Sequence, residues 1–267
     1  MNQQSQVAVV GAGIMGEALI SALISSGVNP ELITISEKRA DRSEELIAKY
    51  SIRQAPLATN VAAADALLLV IKPQDMAAVL EEIKEFINPA AVVITFVAGK
   101  TISFISSALG TANPVIRVMP NTPTMVGAGM AAASMGAGVT DDHKKFVLGF
   151  LAATGKVIEV SEDLQDAVTA TSGSGPAYFF AFVEAMVAGA KELGLSQEDA
   201  TTLTIQTIVG AAKLLDESGK SATTLRENVT SPNGTTAAAL ASFGAGDLNS
   251  MVAKAMKAAS DRSQELA

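Results

Sequence analysis

Short apolar runs recur through the first half of the chain, separated by segments whose apolar residues have helical spacing. The runs cover residues 7–10, 32–36, 66–71, 91–96, 115–119 and 157–160. Two of them, 66–71 and 91–96, show no polar alternation, which is typical of strands covered on both faces. Helical segments at 17–24, 42–49 and 76–86 lie between the runs. Strands that alternate with helices predict a parallel sheet with right-handed crossovers.

The second part of the chain shows helical spacing alone. Pro176 stands in the first turn of a predicted helix that Gly194 ends. Ser196, followed three residues later by Asp199, resembles a capping box that opens the next helix. Shorter helices are predicted over residues 223–228, 234–242 and 248–263.

The change of pattern divides the 267 residues into two predicted domains, 1–162 with a sheet and 163–267 with helices alone. With 49% hydrophobic and 17% charged residues, the chain is predicted to be compact and globular. A net charge of −8 offers no basic face to a phosphate backbone, so no nucleic-acid partner is expected. The N-terminus has no basic region, and prolines and glycines interrupt the uncharged span 118–140. We therefore expect no signal peptide, no membrane partner and a cytoplasmic protein.

A glycine-rich turn follows the first apolar run and opens onto the first helical segment. It reads Gly11-Ala12-Gly13-Ile14-Met15-Gly16. In a dinucleotide-binding fold the first glycine makes the turn, the second lets the backbone approach a pyrophosphate, and the third packs helix on strand. Glu37 directly follows the second run and lies twenty-one residues past Gly16, about where an acidic side chain binds a ribose hydroxyl. Such glycines also occur in ordinary turns, but this context favours a Rossmann dinucleotide-binding domain.

Few side chains in the sequence could carry acid–base or metal chemistry. His143 is the single histidine, and its charged neighbours indicate a solvent-exposed helix start. The chain has no cysteine, so we expect no metal site, and a serine triad lacks a usable histidine. Hydride transfer needs fewer catalytic side chains, because a nicotinamide supplies the chemistry and the protein orients the nicotinamide and the hydride acceptor. An imine suits such a protein, since it arrives protonated and needs only hydroxyls and backbone N–H groups.

One segment near the end of the chain offers such groups, and it reads Thr230-Ser231-Pro232-Asn233-Gly234-Thr235-Thr236. The N–H groups of residues 234–236 begin a predicted helix and could bind a carboxylate. The hydroxyl groups of Ser231, Thr235 and Thr236 add donors. Proline, glycine and a capping threonine also make an ordinary turn before a helix, which is the simpler interpretation of this segment alone.

Four motifs together resemble the pyrroline-5-carboxylate reductase family, which catalyses the last step of proline synthesis. They are the glycine-rich turn, Met119-Pro120-Asn121-Thr122-Pro123, Ser172-Gly173-Ser174-Gly175-Pro176-Ala177-Tyr178, and residues 225–236. Lys72-Pro73 and Ala98-Gly99 agree with the same pattern. The resemblance spans nearly the whole chain, and the last two of the four motifs are specific to the family.

The resemblance implies NAD(P)H-dependent reduction of the C=N bond of 1-pyrroline-5-carboxylate to L-proline, by an oxidoreductase acting on a CH–NH bond. It also implies a Rossmann domain and a C-terminal all-helical dimerisation domain, with an intertwined dimer and often a ring of five dimers. Thr236 would hydrogen-bond the ring nitrogen as the catalytic residue, while Ser231, Gly234 and Thr235 would bind the carboxylate. Glu162 matches a position near the substrate. The positions assigned to the cofactor are Gly11, Gly13, Ile14, Met15, Gly16, Ser36, Glu37, Lys38, Arg39, Asn60, Lys72, Pro73, Ala98, Asn121 and Asn228.

At two places the residues leave a property undecided: the substrate affinity at Asn233 and the cofactor preference after the second strand. Asn233 stands where the family usually has glycine; asparagine tolerates a left-handed backbone, so the loop is expected to survive, with its effect on substrate affinity undecided. After the second strand, Glu37 favours NADH by binding a free ribose, whereas Lys38 and Arg39 could pair with the 2′-phosphate of NADPH. Family habit puts NADPH ahead of NADH.

Two other functions compete with this one. A β-hydroxyacid dehydrogenase shares the glycine-rich turn and a helical second domain, but the Lys-x-x-Asn pair of those enzymes does not occur in this chain. A non-catalytic dinucleotide-binding or scaffold protein would have no need of Thr235 and Thr236. Oxidation of NADPH or NADH that depends on the imine separates the three hypotheses.

Overall fold

The computed structural model of the chain describes residues 4–266. They form two compact units, one from residues 4–174 together with 259–266, and the other from residues 175–258. The first unit therefore contains two stretches, 163–174 and 259–266, that lie beyond the predicted boundary at residue 162. No described helix is both long enough and apolar enough to cross a membrane.

The first unit is built on a single sheet. Its strands are β1 Val7–Val10, β2 Ile33–Ser36, β3 Arg53–Gln54, β4 Ala66–Leu69, β5 Val92–Thr95, β6 Val115–Met119, β7 Gly129–Met135 and β8 Gly155–Glu159. Their order is β3-β2-β1-β4-β5-β6-β7-β8, with parallel pairing except between β6 and β7. The strand order changes direction between β1 and β4, which is where ligands bind in open α/β sheets.

Helices cover both faces of this sheet. They are α1 Ile14–Ser25, α2 Ala40–Tyr50, α3 Leu57–Ala63, α4 Met76–Ile83, α5 Ile102–Leu109, α6 Asp141–Ala152 and the short α7 Gln165–Val168. Successive side chains of a strand point to opposite faces. Val7 and Val9 accordingly pack with α1, α2 and α6, whereas Ala8 and Val10 pack with α3, α4 and α5. Burial on both faces explains the apolar runs and confirms the predicted α/β fold.

The second unit contains helices alone, as the spacing predicted. They are α8 Gly175–Glu192, α9 Gln197–Glu217, α10 Ala222–Asn228, α11 Thr235–Ala245 and most of α12 Leu248–Glu265. Gly194 has a φ of +99° after α8, and the Ser196 hydroxyl accepts a hydrogen bond from the Asp199 N–H at the start of α9. Both predicted helix ends are therefore confirmed.

Four elements of the first unit, β3, α3, α5 and β7, are not among the elements predicted from the sequence. β7 reads Gly-Met-Ala-Ala-Ala-Ser-Met, and glycine and alanine have low strand propensity. The neighbours β6 and β8 impose its conformation by pairing with it on both sides. β3 has two exposed residues and carries no hydrophobic pattern.

Candidate functional site

The glycine-rich turn between β1 and α1 is shaped by two of its glycines and left open at the third. Gly11 has a φ of +87°, and a Cβ there would lie 2.5 Å from the Val70 carbonyl oxygen. A Cβ on Gly16 would overlap the Gly11 carbonyl oxygen, so this glycine allows α1 to pack on the turn. A Cβ on Gly13 would have no atom within 4 Å, so a ligand can approach the backbone here.

The first turn of α1 continues this open surface. Gly13 is the N-cap residue and supplies no side-chain hydrogen bond. The backbone N–H groups of Ile14 and Met15, at the positive end of the helix dipole, are therefore available to an anion. This local geometry fits the diphosphate of a dinucleotide.

A cleft of about 850 Å³ opens beside this turn, within the size range of small-molecule sites. Seven residues assigned to the cofactor from the sequence line it, namely Gly11, Gly13, Ser36, Glu37, Lys38, Arg39 and Lys72. The wall formed by Gln54, Ala55, Pro56 and Leu57 could not be predicted from the sequence. It begins at the end of β3, whose two exposed residues carry no hydrophobic pattern.

The Glu37 carboxylate is fixed against the glycine-rich turn. One of its oxygens accepts a hydrogen bond from the Ala12 N–H at 2.8 Å, and the other accepts one from the Arg39 N–H at 3.1 Å. Each carboxylate oxygen has a further lone pair, so both can still accept a ribose hydroxyl. Glu37 lies where a dinucleotide fold places its ribose-binding acid.

The cations that line the cleft differ in their partners. The Arg39 guanidinium pairs with Asp41 at 2.6 Å, and both side chains are largely exposed. Lys38 and Lys72 are exposed and form no ion pair in the described part of the chain. An exposed pair contributes little to stability, so Arg39 can exchange Asp41 for a ligand phosphate at small cost.

Asn60 supports the cleft from behind. Its side chain is 4% exposed, and its amide donates hydrogen bonds to the Thr34 carbonyl and to the Ser36 hydroxyl, each at 3.0 Å. The Ser36 hydroxyl in turn donates to the Ala55 carbonyl at 3.0 Å. Asn60 therefore fixes the end of β2, and its assigned contact with the cofactor stays a prediction.

A half-buried ionic cluster anchors α2 to the glycine-rich turn. Glu17 on α1 forms an ion pair with Arg42 and accepts hydrogen bonds from Lys49 at 2.8 Å and from the Tyr50 hydroxyl at 3.0 Å. Burial raises the pKa of Glu17, but hydrogen bonds from Lys49, Arg42 and Tyr50 outweigh it and lower the pKa to about 2. Arg42 also donates to the Ala12 carbonyl at 3.0 Å, so the cluster supports the turn directly.

The remaining predicted positions of the first unit lie after β4, β5, β6 and β8. Pro73 begins a short turn after β4, and Ala98 lies in the loop after β5. Asn121 follows β6, where its amide donates to the Ser172 carbonyl at 3.1 Å and its oxygen accepts from the Met130 N–H at 2.8 Å. The Glu162 carboxylate binds the Ile102 N–H at 2.7 Å and lies 3.4 Å from Arg117. Substrate or cofactor contacts of these side chains stay predictions.

The second unit contains the predicted anion site. Asn233 has a φ of +59°, which confirms the left-handed backbone expected at this position. Gly234 is the N-cap of α11 and provides no side-chain cap, which leaves the first N–H groups of the helix available. The Ser231 carbonyl accepts the Gly234 N–H at 3.0 Å, and a Cβ on Gly234 would overlap the Ser231 hydroxyl oxygen. Thr236 lies in the first turn, half-buried.

These local geometries agree with what the chain is similar to. A family model described as pyrroline-5-carboxylate reductase dimerisation matches residues 162–266, and one described as NADP oxidoreductase, coenzyme F420-dependent, matches residues 6–99. Pyrroline-5-carboxylate reductase 1 of Bacillus subtilis is 36% identical, covering 98% of this chain and 90% of its own. The pyrroline-5-carboxylate reductase of Pseudomonas aeruginosa is 38% identical, covering 98% and 97%. The chain belongs to the pyrroline-5-carboxylate reductase family.

Solved structures of pyrroline-5-carboxylate reductases show the same fold. The structure from Coxiella burnetii has a TM-score of 0.90 at 35% identity and covers 98% of each chain. The structure from Plasmodium falciparum, which has NADP bound, has a TM-score of 0.88 at 26% identity and covers 100% of this chain and 99% of its own. The resemblance drawn from the four motifs is therefore confirmed.

The region matched by the reductase dimerisation model exposes many large apolar side chains. Phe179 and Phe180 on α8 are 62% and 63% exposed. Other exposed apolar residues of the second unit include Leu203, Ile205, Val209, Leu214, Leu215, Met251 and Val252. Exposed large apolar side chains in such number indicate an interaction surface.

His143 has a structural role in this reductase-family chain. It lies at the start of α6, where its N–H donates to the Thr140 hydroxyl at 3.2 Å and its Nδ1 accepts the Thr140 N–H at 3.3 Å. Partial burial lowers the pKa of His143 below its usual value. The predicted placement at a helix start is confirmed. The capping box that His143 forms with Thr140 accounts for a histidine at this position.

Proposed function

We propose that this protein is a pyrroline-5-carboxylate reductase, which transfers a hydride from NADPH or NADH to the C=N carbon of 1-pyrroline-5-carboxylate and forms L-proline. The observation that carries the proposal is the start of α11, where Asn233 turns the chain and an uncapped helix end follows. The catalysed step is the one named for the relatives at 36% to 38% identity over nearly the whole chain.

The substrate carboxylate binds the first N–H groups of α11 and the Ser231 hydroxyl. Backbone N–H groups at a helix start bind an anion with fixed dipoles, so no charged side chain is required. Gly234 permits this approach, because it adds no side chain above the helix end. Thr235 presents a second hydroxyl and backbone N–H group at the same place.

Thr236 hydrogen-bonds the ring nitrogen and fixes the orientation of the imine. When bound, the reduced nicotinamide supplies the hydride, and the protonated imine needs no separate acid. The protein therefore acts by orientation, which lowers the barrier by holding the reacting atoms in contact. This role suits a chain whose single histidine caps a helix.

The dinucleotide binds in the first unit. Its diphosphate contacts the turn at Gly13 and the N–H groups of Ile14 and Met15, and its adenosine occupies the cleft beside Glu37. Asn228, an exposed residue at the end of α10, is assigned to the nicotinamide ribose by the resemblance. NADPH is the proposed first cofactor, with Lys38 and Arg39 binding the 2′-phosphate.

Self-association through the second unit belongs to the same proposal. Its exposed apolar side chains cover a region that matches a dimerisation model, so its occupant is a second copy of the chain. The proposed dimer is intertwined, and a ring of five dimers is the larger assembly that the family resemblance implies.

The first test measures the initial rate of NADPH oxidation by purified protein, with and without 1-pyrroline-5-carboxylate. We expect oxidation only with the pyrroline. Turnover of a hydroxy acid with NADP⁺, but not of the pyrroline, would instead favour a β-hydroxyacid dehydrogenase. Dinucleotide binding without any turnover would favour a non-catalytic protein.

Thr236→Ala tests the proposed catalytic residue. Loss of one hydrogen bond to a charged group should lower kcat/KM for the pyrroline by roughly tenfold to a hundredfold. Thr230→Ala is the matched control, because the Thr230 hydroxyl donates back to the Arg226 carbonyl of α10. Full activity of Thr236→Ala would contradict the assignment.

A further inference from the structure

The last turns of α12 belong to the first unit. Residues 259–266 form one compact body with the sheet. Ser263 is 2% exposed, although its neighbours Arg262 and Gln264 are exposed. We call residues 259–266 the strap.

The strap lies against the loop that follows β5, residues 96–101. Gly99 in this loop has a φ of +76°, and a Cβ there would lie 2.7 Å from the Leu266 Cβ and 2.9 Å from the Ser263 carbonyl oxygen. Any side chain at residue 99 would therefore collide with the strap. Gly99 itself is buried.

Ser263 also joins a chain of polar contacts that ends at the same loop. Its hydroxyl donates to Asp166 Oδ1 at 2.6 Å, and that oxygen lies 3.6 Å from Arg117 Nη2. Arg117 Nη1 lies 3.4 Å from Glu162 Oε1, which accepts the N–H of Ile102 at 2.7 Å. Ile102 is the first residue of α5, directly after the loop.

The charges of this chain of contacts explain why the Ser263 hydroxyl matters. The Arg117 side chain is 5% exposed, so its guanidinium depends on the two carboxylates for charge compensation. One guanidinium shared between Asp166 and Glu162 leaves a net negative charge, which a hydroxyl donor partly stabilises. Removing that donor weakens the fixed position of Arg117 and Glu162, and with it the anchor of the loop.

The position of this loop decides which part of a dinucleotide it would meet. The cleft lies at the carboxyl ends of β1 to β4 and holds the ribose acid Glu37, so it takes the adenosine half. The remaining half must extend along the same sheet edge, over the loops that follow β5 and β6. The 96–101 loop therefore borders the nicotinamide half, where the resemblance also places Ala98.

We propose that the strap positions the 96–101 loop for the nicotinamide half of the cofactor, with Ser263 and Leu266 as the positioning residues. The inference rests on the proposed function, because it requires a nicotinamide dinucleotide as ligand. It assigns a role in cofactor binding to residues about 160 positions away in sequence from the loop they support.

The test compares two ligands that differ only in the nicotinamide. Full-length wild type, Ser263→Ala and Leu266→Gly are titrated by calorimetry with NADPH and with 2′-phospho-ADP-ribose. Both variants should bind NADPH about threefold to tenfold more weakly and bind 2′-phospho-ADP-ribose within about twofold of wild type. Leu266→Gly removes the Cβ that lies against Gly99, leaves the polar contacts intact and serves if Ser263→Ala does not fold.

Ser260→Ala removes a hydroxyl from the same helix, at a serine whose hydroxyl makes no hydrogen bond in the described part of the chain, and should bind both ligands like wild type. Equal weakening of both ligands would mean a general structural role and would overturn the proposal. Unchanged NADPH binding would overturn it as well. If the wild type binds neither ligand, the proposed function itself fails, and that result is distinct from the other two.

Discussion

At the scale of single residues, the cleft combines the signs of two cofactor preferences. Glu37 keeps lone pairs for ribose hydroxyls while the Ala12 and Arg39 N–H groups hold it in place. The Arg39 guanidinium forms an exposed ion pair with Asp41, and the neighbouring Lys38 is also exposed. A 2′-phosphate offers both cations a doubly charged partner, which an exposed carboxylate does not match.

The double variant Lys38→Ala, Arg39→Ala tests this arrangement. We expect the KM for NADPH to rise by about tenfold or more and the KM for NADH to change by less than about twofold, because NADH has no 2′-phosphate. Initial rates with each cofactor at saturating pyrroline measure the difference. Equal effects on both cofactors would show that the two cations form only a solvated surface.

A second prediction for a single residue concerns Glu17 and the pH dependence of folding stability. Its pKa is lowered from 4.5 to about 2, so its ionised form stabilises the folded state above about pH 4.5, and this contribution is lost as pH falls toward 2. Glu17→Gln should destabilise the protein by about 1–3 kcal/mol at pH 7. Thermal melting should show the gap to wild type narrowing between pH 5 and about pH 2.5.

The control for this prediction is Glu44→Gln. Glu44 is an exposed glutamate on α2 with no ion pair in the described part of the structure. The melting temperature of the Glu44→Gln variant should stay close to that of wild type at every pH. A gap between wild type and Glu17→Gln that stayed constant with pH would contradict the linkage argument.

At the scale of elements, α6 begins with a capping box between Thr140 and His143, which requires a neutral His143 imidazole. The Nδ1 of His143 can accept the Thr140 N–H only without a proton. The pKa of His143 is lowered on folding, so its contribution is present above the unfolded value of 6.5 and is lost as pH falls through the lower folded value.

His143→Gln tests this cap, because glutamine keeps an acceptor at the third helical position and does not titrate. Between pH 7.5 and 5, the wild type should lose more stability than the variant, because only the wild-type cap is protonated in this range. Thermal melting at both pH values measures the difference. The same pH dependence in both proteins would place the titrating group elsewhere.

The elements also show what the sequence could predict. The bounds predicted for β1 and β6 agree with the structure, because β1 is a continuous apolar run and Arg117 alone interrupts the apolar residues of β6. β7 could not be predicted, since its alanines are held by pairing with strands on either side. At the site, the glycine-rich turn and Glu37 could be predicted because their spacing in the sequence is fixed. The ion pair of Glu17 and Arg42 has no such sequence pattern, because the folded arrangement of α1 and α2 brings the two residues together.

At the scale of the whole molecule, the two units differ in how they bury apolar surface. The sheet unit has a large core on each face, whereas Ala200 is a rare buried apolar side chain among the described helices of the second unit. About 25 cal/mol is gained per Å² of apolar surface removed from water, so helices this exposed gain much of their stability from a partner. Folding and assembly of the second unit are therefore expected to be coupled.

Phe180→Glu tests this coupling. A charge placed on the exposed face of α8 should dissociate the assembly at micromolar concentration, because a buried unpaired carboxylate costs several kcal/mol, on the order of a thousandfold in affinity. Sedimentation velocity measures the mass. Phe86→Glu is the matched control, since Phe86 is 52% exposed in the first unit. A variant with the wild-type mass would exclude Phe180 from the interface.

The two outer strands of the sheet have a consequence for behaviour at high concentration. An unpaired strand edge is a template for fibril growth, and charged or very short edges discourage it. β3 consists of the exposed pair Arg53 and Gln54 and is soon followed by Pro56, while β8 carries exposed Lys156 and Glu159. Neither edge offers a flat apolar ribbon, so crowded chains should meet through their helices and resist amyloid-like stacking.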